Sequence, residues 1–168
     1  MVVAPIAAWI HLRREGPHTR ARTIEVYLLW WLAVAIGVSG VLQTASHVFD
    51  GAATAEDIGF TRGDGGFQFE NAMGDFAIGV TGLLCIRFRG LFWLAVVMVT
   101  SIQYYGDAIG HVYQWIENEN TKQGNIGPPL WVDVIVPTVA LLLYRLLSGA
   151  RARESAEHGF LPATRAPA

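Results

Sequence analysis

Charge and cysteine are both scarce in this sequence. Asp, Glu, Lys and Arg make up 15% of the 168 residues, hydrophobic residues make up 52%, and mean hydropathy is +0.35. Those proportions exclude an ordinary soluble domain and make a membrane protein the first reading. The single cysteine, Cys85, excludes an internal disulfide and any cysteine-built metal knuckle. Residues 1–11 do not read as a secretory signal, because Arg13 and Arg14 follow the apolar piece instead of preceding it. The piece is also shorter than the roughly 17–25 residues a span needs, so it is expected to be an interfacial or partly inserted helix. No internal repeat and no basic patch suited to nucleic acid is visible.

What the chain does have is four apolar stretches. Ile24 to Val48 carries one charge, Glu25, and Leu91 to Trp115 carries only Asp107, and both are long enough for the hydrocarbon core. Phe67 to Ile86 is interrupted by Glu70 and Asp75, and Leu130 to Leu147 by Asp133 and Arg145. The expected fold is all-α: an antiparallel bundle of four transmembrane helices with spans of about 24–48, 67–86, 91–115 and 130–147. Around this domain, 24–148, lie a basic amino-terminal segment, 1–23, and a tail, 149–168, expected to be disordered.

Orientation follows from the basic residues. Arg13, Arg14, Arg20, Arg22, Arg87, Arg89, Arg145, Arg151, Arg153 and Arg165 fall on one side of the bundle, leaving only Arg62 and Lys122 of the 12 on the other. The positive-inside rule puts the first side, with both termini, in the cytoplasm of a bacterial inner membrane. Tyr27, Trp30, Trp31, Phe92, Trp93 and Tyr144 then sit at the inner boundary, with Tyr113, Trp115 and Trp131 at the outer one. In the outer loops, Ala52 to Ile58 is expected to form a small surface helix, and the Gly- and Pro-rich run Gly124 to Pro129 to break structure.

This topology gathers polar residues that are far apart in sequence. Gln43 and His47 end the first span, Glu70, Asn71 and Asp75 open the second, Gln103, Asp107 and His111 close the third, and Asp133 lies one turn into the fourth. All fall in the outer half. Gln43 and His47, like Asp107 and His111, are four residues apart and share a helix face. Glu70 and Asp75 are five apart, roughly 140° around a helix, so both cannot face one centre.

Ionisable groups inside a membrane cost at least roughly 2.5–3.5 kcal/mol each at the helix centre and need partners, water or an ion. Imidazole and carboxylate together suit zinc, iron or manganese. The expected ligands are His47, Glu70, Asp107 and His111, with Gln43, Asn71, Asp75, Gln103 and Asp133 around them as a supporting network. The pattern is not the Glu-x-x-His pair of di-iron bundles. The competing expectation is a non-catalytic membrane subunit or scaffold whose polar cluster is a structural or proton-binding network. The expected partners are the lipid bilayer and another membrane protein or a second copy of this chain.

Several short motifs carry a resemblance. They are Gly40 and His47 with Phe49, Ile58-Gly59-Phe60, Phe67-Gln68-Phe69-Glu70 with Asp75, Gly106-Asp107-Ala108-Ile109-Gly110-His111, Gly124-Asn125-Ile126-Gly127-Pro128, and Trp131-Val132-Asp133 with Pro137. On these residues the stretch 37–137 resembles an uncharacterised family of small bacterial integral membrane proteins, similar in general appearance to DoxX-like four-helix proteins. The resemblance implies a four-helix membrane fold and, by analogy of fold, a quinone-linked redox role.

Overall fold

The computed structural model describes residues 1–61 and 65–159, and among them every regular element is helical. Arg62 and Asp64 of the first outer loop, and the tail beyond residue 159, lie outside the described residues. Helix α1 (Val3–Glu15) is followed by α2 (Arg20–Trp30), which continues through a π-helical stretch, Trp31–Val38, into α3 (Ser39–Phe49) as one rod. Then come α4 (Gly51–Ile58), α5 (Gly65–Leu84), α6 (Leu91–Asn118), the single turn α7 (Gln123–Ile126) and α8 (Pro128–Gly159). Two stretches, Arg20–Phe49 and Gln123–Glu157, are long and apolar enough to cross a membrane. α5 and α6 are not among them; both carry acidic and carboxamide side chains along their length.

Two helix pairs make up most of the packing: the rod with α5, and α6 with α8. The first pair is close because glycines meet glycines. A Cβ on Gly40 would lie 2.9 Å from the Gly79 Cα, one on Gly79 2.7 Å from the Val41 backbone nitrogen, and one on Gly82 2.7 Å from the Gly37 nitrogen. Only a residue without a Cβ allows that approach. Between the pairs lies an apolar core that includes Leu28, Leu32, Ile36, Ile78, Val97 and Val136. Trp31 and Trp93 belong to it too, each fully satisfied: Trp31 Nε1 donates to the Val136 carbonyl and Trp93 Nε1 to the Cys85 carbonyl, both at 3.0 Å. The sequence reading set these two indoles at a membrane boundary, but an internal carbonyl for each N–H removes the need for water.

α1 folds back along α2, with Ala8 and Leu12 against Val26, Tyr27 and Trp30, and Ala4 reaching the main core. Its other face exposes Val2, Val3, Ile6 and Trp9. Charges clasp this end of the molecule: Glu15 meets Arg22 at 2.9 Å, and Glu25 meets both Arg22 at 3.4 Å and Arg151 of α8 at 3.3 Å. The Arg22 guanidinium holds the Glu15 carboxyl below its ordinary range. These pairs are partly exposed and fix position more than they add stability.

α8 departs from expectation. It runs on to Gly159, so residues 149–159, assigned to a disordered tail by sequence, continue the helix. Ala150 is buried in the core, and Glu154 accepts a bond from the Ala21 backbone nitrogen at 3.2 Å. Docking against α2 supplies the order that composition alone did not suggest. At the other end of the molecule the expected surface helix is present as α4, and α7 forms inside the Gly- and Pro-rich run expected to break structure.

The glycine crossing yields a clear expectation. Gly79→Ala and Gly82→Ala push the rod off α5 and should each cost about 1–3 kcal/mol by thermal unfolding in detergent. Gly74→Ala and Gly106→Ala, where a Cβ would meet open space, should be neutral or stabilise by up to about 1 kcal/mol through helix propensity. Equal losses at all four positions would contradict the crossing.

Candidate functional site

The carboxyl-terminal turn of α3 delivers His47 into the interface with α5. Gln68 and Asp75 are seven residues apart on α5, two turns along one face, and both are buried. They grip the imidazole from its two sides. His47 Nδ1 lies 2.5 Å from Gln68 Oε1, and Nε2 lies 3.8 Å from Asp75 Oδ2. Below them the Gly40–Gly79 contact sets the spacing, and Thr44 Oγ1 bonds the Gly40 and Ala72 carbonyls across the same seam.

The second helix pair builds the same arrangement again. His111 near the outer end of α6 has Nδ1 2.8 Å from Asn125 Oδ1 and Nε2 3.4 Å from Asp133 Oδ2 on α8. Asn125 is fully buried, and its Nδ2 donates to the His111 carbonyl at 3.0 Å and the Asn120 carbonyl at 2.9 Å. Those two bonds use both amide hydrogens, so Oδ1 must be the atom facing His111 and must accept. His111 Nδ1 therefore carries a hydrogen. Its Nε2 is left to face a carboxylate oxygen at 3.4 Å, where the two can share one proton: on nitrogen as imidazolium beside carboxylate, or on oxygen as carboxylic acid beside imidazole. Either way the pair is neutral, which suits a low-dielectric setting.

Asp107 lies between the two pairs. Gln103 Nε2 bonds its two carboxylate oxygens at 3.2 and 3.1 Å. Its charge interacts with His47, His111, Asp133 and Asp75, and Asp75 and Asp133 also sense one another. Tyr104, about one turn below Asp107 on α6, is buried. The loops at this end cap the cluster: Asn120 Nδ2 donates to the Ile58 carbonyl at 2.8 Å, and Lys122 Nζ to the Glu56 carbonyl at 2.6 Å, tying α4 to the α6–α7 connection.

Not every residue singled out by sequence arrives here. Glu70 and Gln43 are exposed, and Asn71 is half-buried with no part in either histidine pair. The histidines instead face Asp75 and Asp133, which the sequence reading assigned to the surrounding network. Among the described residues no three His, Cys, Asp or Glu side chains come together closely enough to hold one metal ion. Gln68 and Asn125 were missed as site residues. The spacing of Gln68 to Asp75 carried the signal for the first; Asn125 sits in a turn-rich run whose short helix was not foreseen.

These features define an all-helical protein with two apolar helices of membrane-spanning length and buried His–Asp pairs between its helices. The chain belongs to the DUF6790 family, a family of unknown function, whose model matches residues 1–153. No curated protein and no solved structure matches it.

The Asn125 geometry fixes a spectroscopic outcome. Nitrogen-15 spectra of histidine-labelled protein in detergent should show neutral His111 as the Nδ1–H tautomer, the minor form for free imidazole in water. Asn125→Ala, or better the isosteric Asn125→Leu if the alanine variant fails to fold, should release it to the Nε2–H form. An Nε2–H signal in the wild type would contradict the arrangement.

Proposed function

We propose that this is a multi-pass protein of a bacterial cytoplasmic membrane, with Arg20–Phe49, α5, α6 and α8 as four antiparallel spans, both termini cytoplasmic, and a proton-holding site in the outer half. Support for the spans comes from the basic residues gathered at one end and from the apolar side chains exposed along α5 and α6. Phe67, Phe69, Met73 and Phe76 on the one, and Val99, Ile102, Ile109 and Val112 on the other, are too extensive an exposed surface for water. Lipid is the solvent that suits them.

The observation that carries the site is the Asn125-locked His111 facing Asp133. A group that must hold one proton to stay neutral, and that lies within reach of a second such pair and of Asp107, can take up and release protons in response to its neighbours' charge. A site of this kind serves a membrane protein that couples proton binding to another event in the bundle.

A second reading puts a divalent zinc, iron or manganese ion in place of the protons. The 3.4 Å between His111 Nε2 and Asp133 Oδ2 is close to the separation of two ligands on one tetrahedral ion with bonds of about 2.0–2.1 Å. A carboxamide oxygen on the far ring nitrogen is also how a ligating histidine is oriented. Against it stands the want of a third His, Cys, Asp or Glu ligand within reach among the described residues.

Elemental analysis of detergent-purified protein separates the two. Protein that is metal-free as isolated, and stays so after incubation with zinc, iron and manganese and desalting, is the expected result. Near-stoichiometric metal, lost in a folded His47→Ala, His111→Ala double variant, would overturn the proton reading in favour of the ion.

A further inference from the structure

Helix α1 is held to the rest of the molecule by one face and one hinge. Ala8 and Leu12 pack against Val26, Tyr27 and Trp30, and Ala4 reaches the main core, while Ile6, Trp9 and Arg14 on the other side are exposed. Among the described residues the helix packs on no element but α2 and the π-helical stretch that follows it. Its connection to α2 is Gly16-Pro17-His18-Thr19, in which Gly16 takes φ +88° and has open space where a Cβ would stand. A hinge residue with that freedom lets the helix pivot.

One polar contact inside the seam decides the charge state of a side chain. Trp30 Nε1 donates to His11 Nδ1 at 3.1 Å, the two rings meeting edge-on at 80°. An indole nitrogen only donates, so His11 Nδ1 must be bare and the hydrogen of the neutral ring sits on Nε2, toward Glu15 Oε2 at 3.9 Å. A second proton on this ring can go only to Nδ1, where it would point at the indole N–H. Donor would then face donor.

The charges around His11 do little to offset that conflict. Glu15, one turn on along α1, is already matched by Arg22 of α2, whose Nε lies 3.0 and 3.2 Å from its two oxygens and whose Nη2 lies 2.9 Å from one of them. Arg22 also meets Glu25 of α2, which meets Arg151 of α8. His18, in the connection, is turned to the Gly16 carbonyl at 2.7 Å. The π-helical stretch carries no ionisable side chain.

We propose that α1 is a pH-sensitive flap, docked on the rod while His11 is neutral and swung off about Gly16 when the ring takes a second proton. The docked form accepts only the neutral imidazole and the undocked form accepts either, so acid favours the undocked form. Free histidine side chains titrate at about pH 6.5, and pH 8 and pH 5 therefore bracket the change. Neither the membrane orientation nor the two His–Asp pairs enter into this movement.

Pulsed electron paramagnetic resonance tests it on the full chain in lipid nanodiscs, with nitroxides on Ile6→Cys and Leu91→Cys, both exposed positions, in a Cys85→Ala background. The expected result is one narrow distance at pH 8 and, at pH 5, a second and broader population several-fold larger than any trace of it at pH 8. His11→Gln keeps an oxygen to accept from Trp30 Nε1 and cannot be charged, so it should give the narrow distance at both pH values. Trp30→Phe keeps a ring in the seam but removes the donor, and should shrink the difference between the two pH values. The same narrow distance at both pH values in the otherwise native chain overturns the proposal, as does a broad distribution at both, which means that α1 is not docked. A change with pH that persists undiminished in His11→Gln also overturns it, and assigns the response to another group.

Discussion

A carboxylate held between apolar helices has to be neutralised where it stands, and this requirement organises the end of the molecule that holds His47 and His111. Each of the two buried aspartates, Asp75 and Asp133, faces an imidazole Nε2, and each imidazole is turned to its aspartate by a carboxamide oxygen on Nδ1. The carboxamide is as important as the acid. Without it the ring is free to choose its tautomer, and the pairing with the carboxylate loses its definition. The arrangement is duplicated: one pair lies between the rod and α5, the other between α6 and α8.

The fold supplies two devices that bring these groups together. One is the meeting of Gly37 and Gly40 with Gly79 and Gly82, which draws the rod and α5 to backbone contact and places His47 over Asp75. The other is the linkage of the loops beside them, in which Asn120 ties the α6–α7 connection to the end of α4 and Asn125 closes over His111. Packing is therefore tightest within each helix pair, and each pair holds its own histidine and aspartate.

The helices were largely legible in the sequence, because apolar runs bounded by arginines and by Gly- and Pro-rich loops are strong signals. The site was legible only in part. His47 and His111 stood out as imidazoles in apolar helices, and the five-residue spacing of Glu70 and Asp75 already said that one must turn away; spacing alone did not say that Glu70 was the one. Gln68 and Asn125 were hidden because uncharged carboxamides carry no penalty conspicuous enough to demand explanation. The Gly106-x-x-x-Gly110 spacing permits close approach but does not say whether a neighbour takes it, and the glycines that are used are three residues apart on two other elements. The length of α8 was missed because its polar end is ordered by docking on α2, not by its own composition.

The claim on which the account turns is that each His–Asp pair holds a proton that it can give up. Infrared difference spectra of the detergent-purified protein between low and high pH test it most directly, because a protonated buried carboxyl has a carbonyl stretch separate from the amide bands. The account predicts a carboxyl band that changes with pH and is lost in part in Asp75→Asn and in part in Asp133→Asn. A spectrum with no such band at any pH, or one unchanged in both variants, would contradict it.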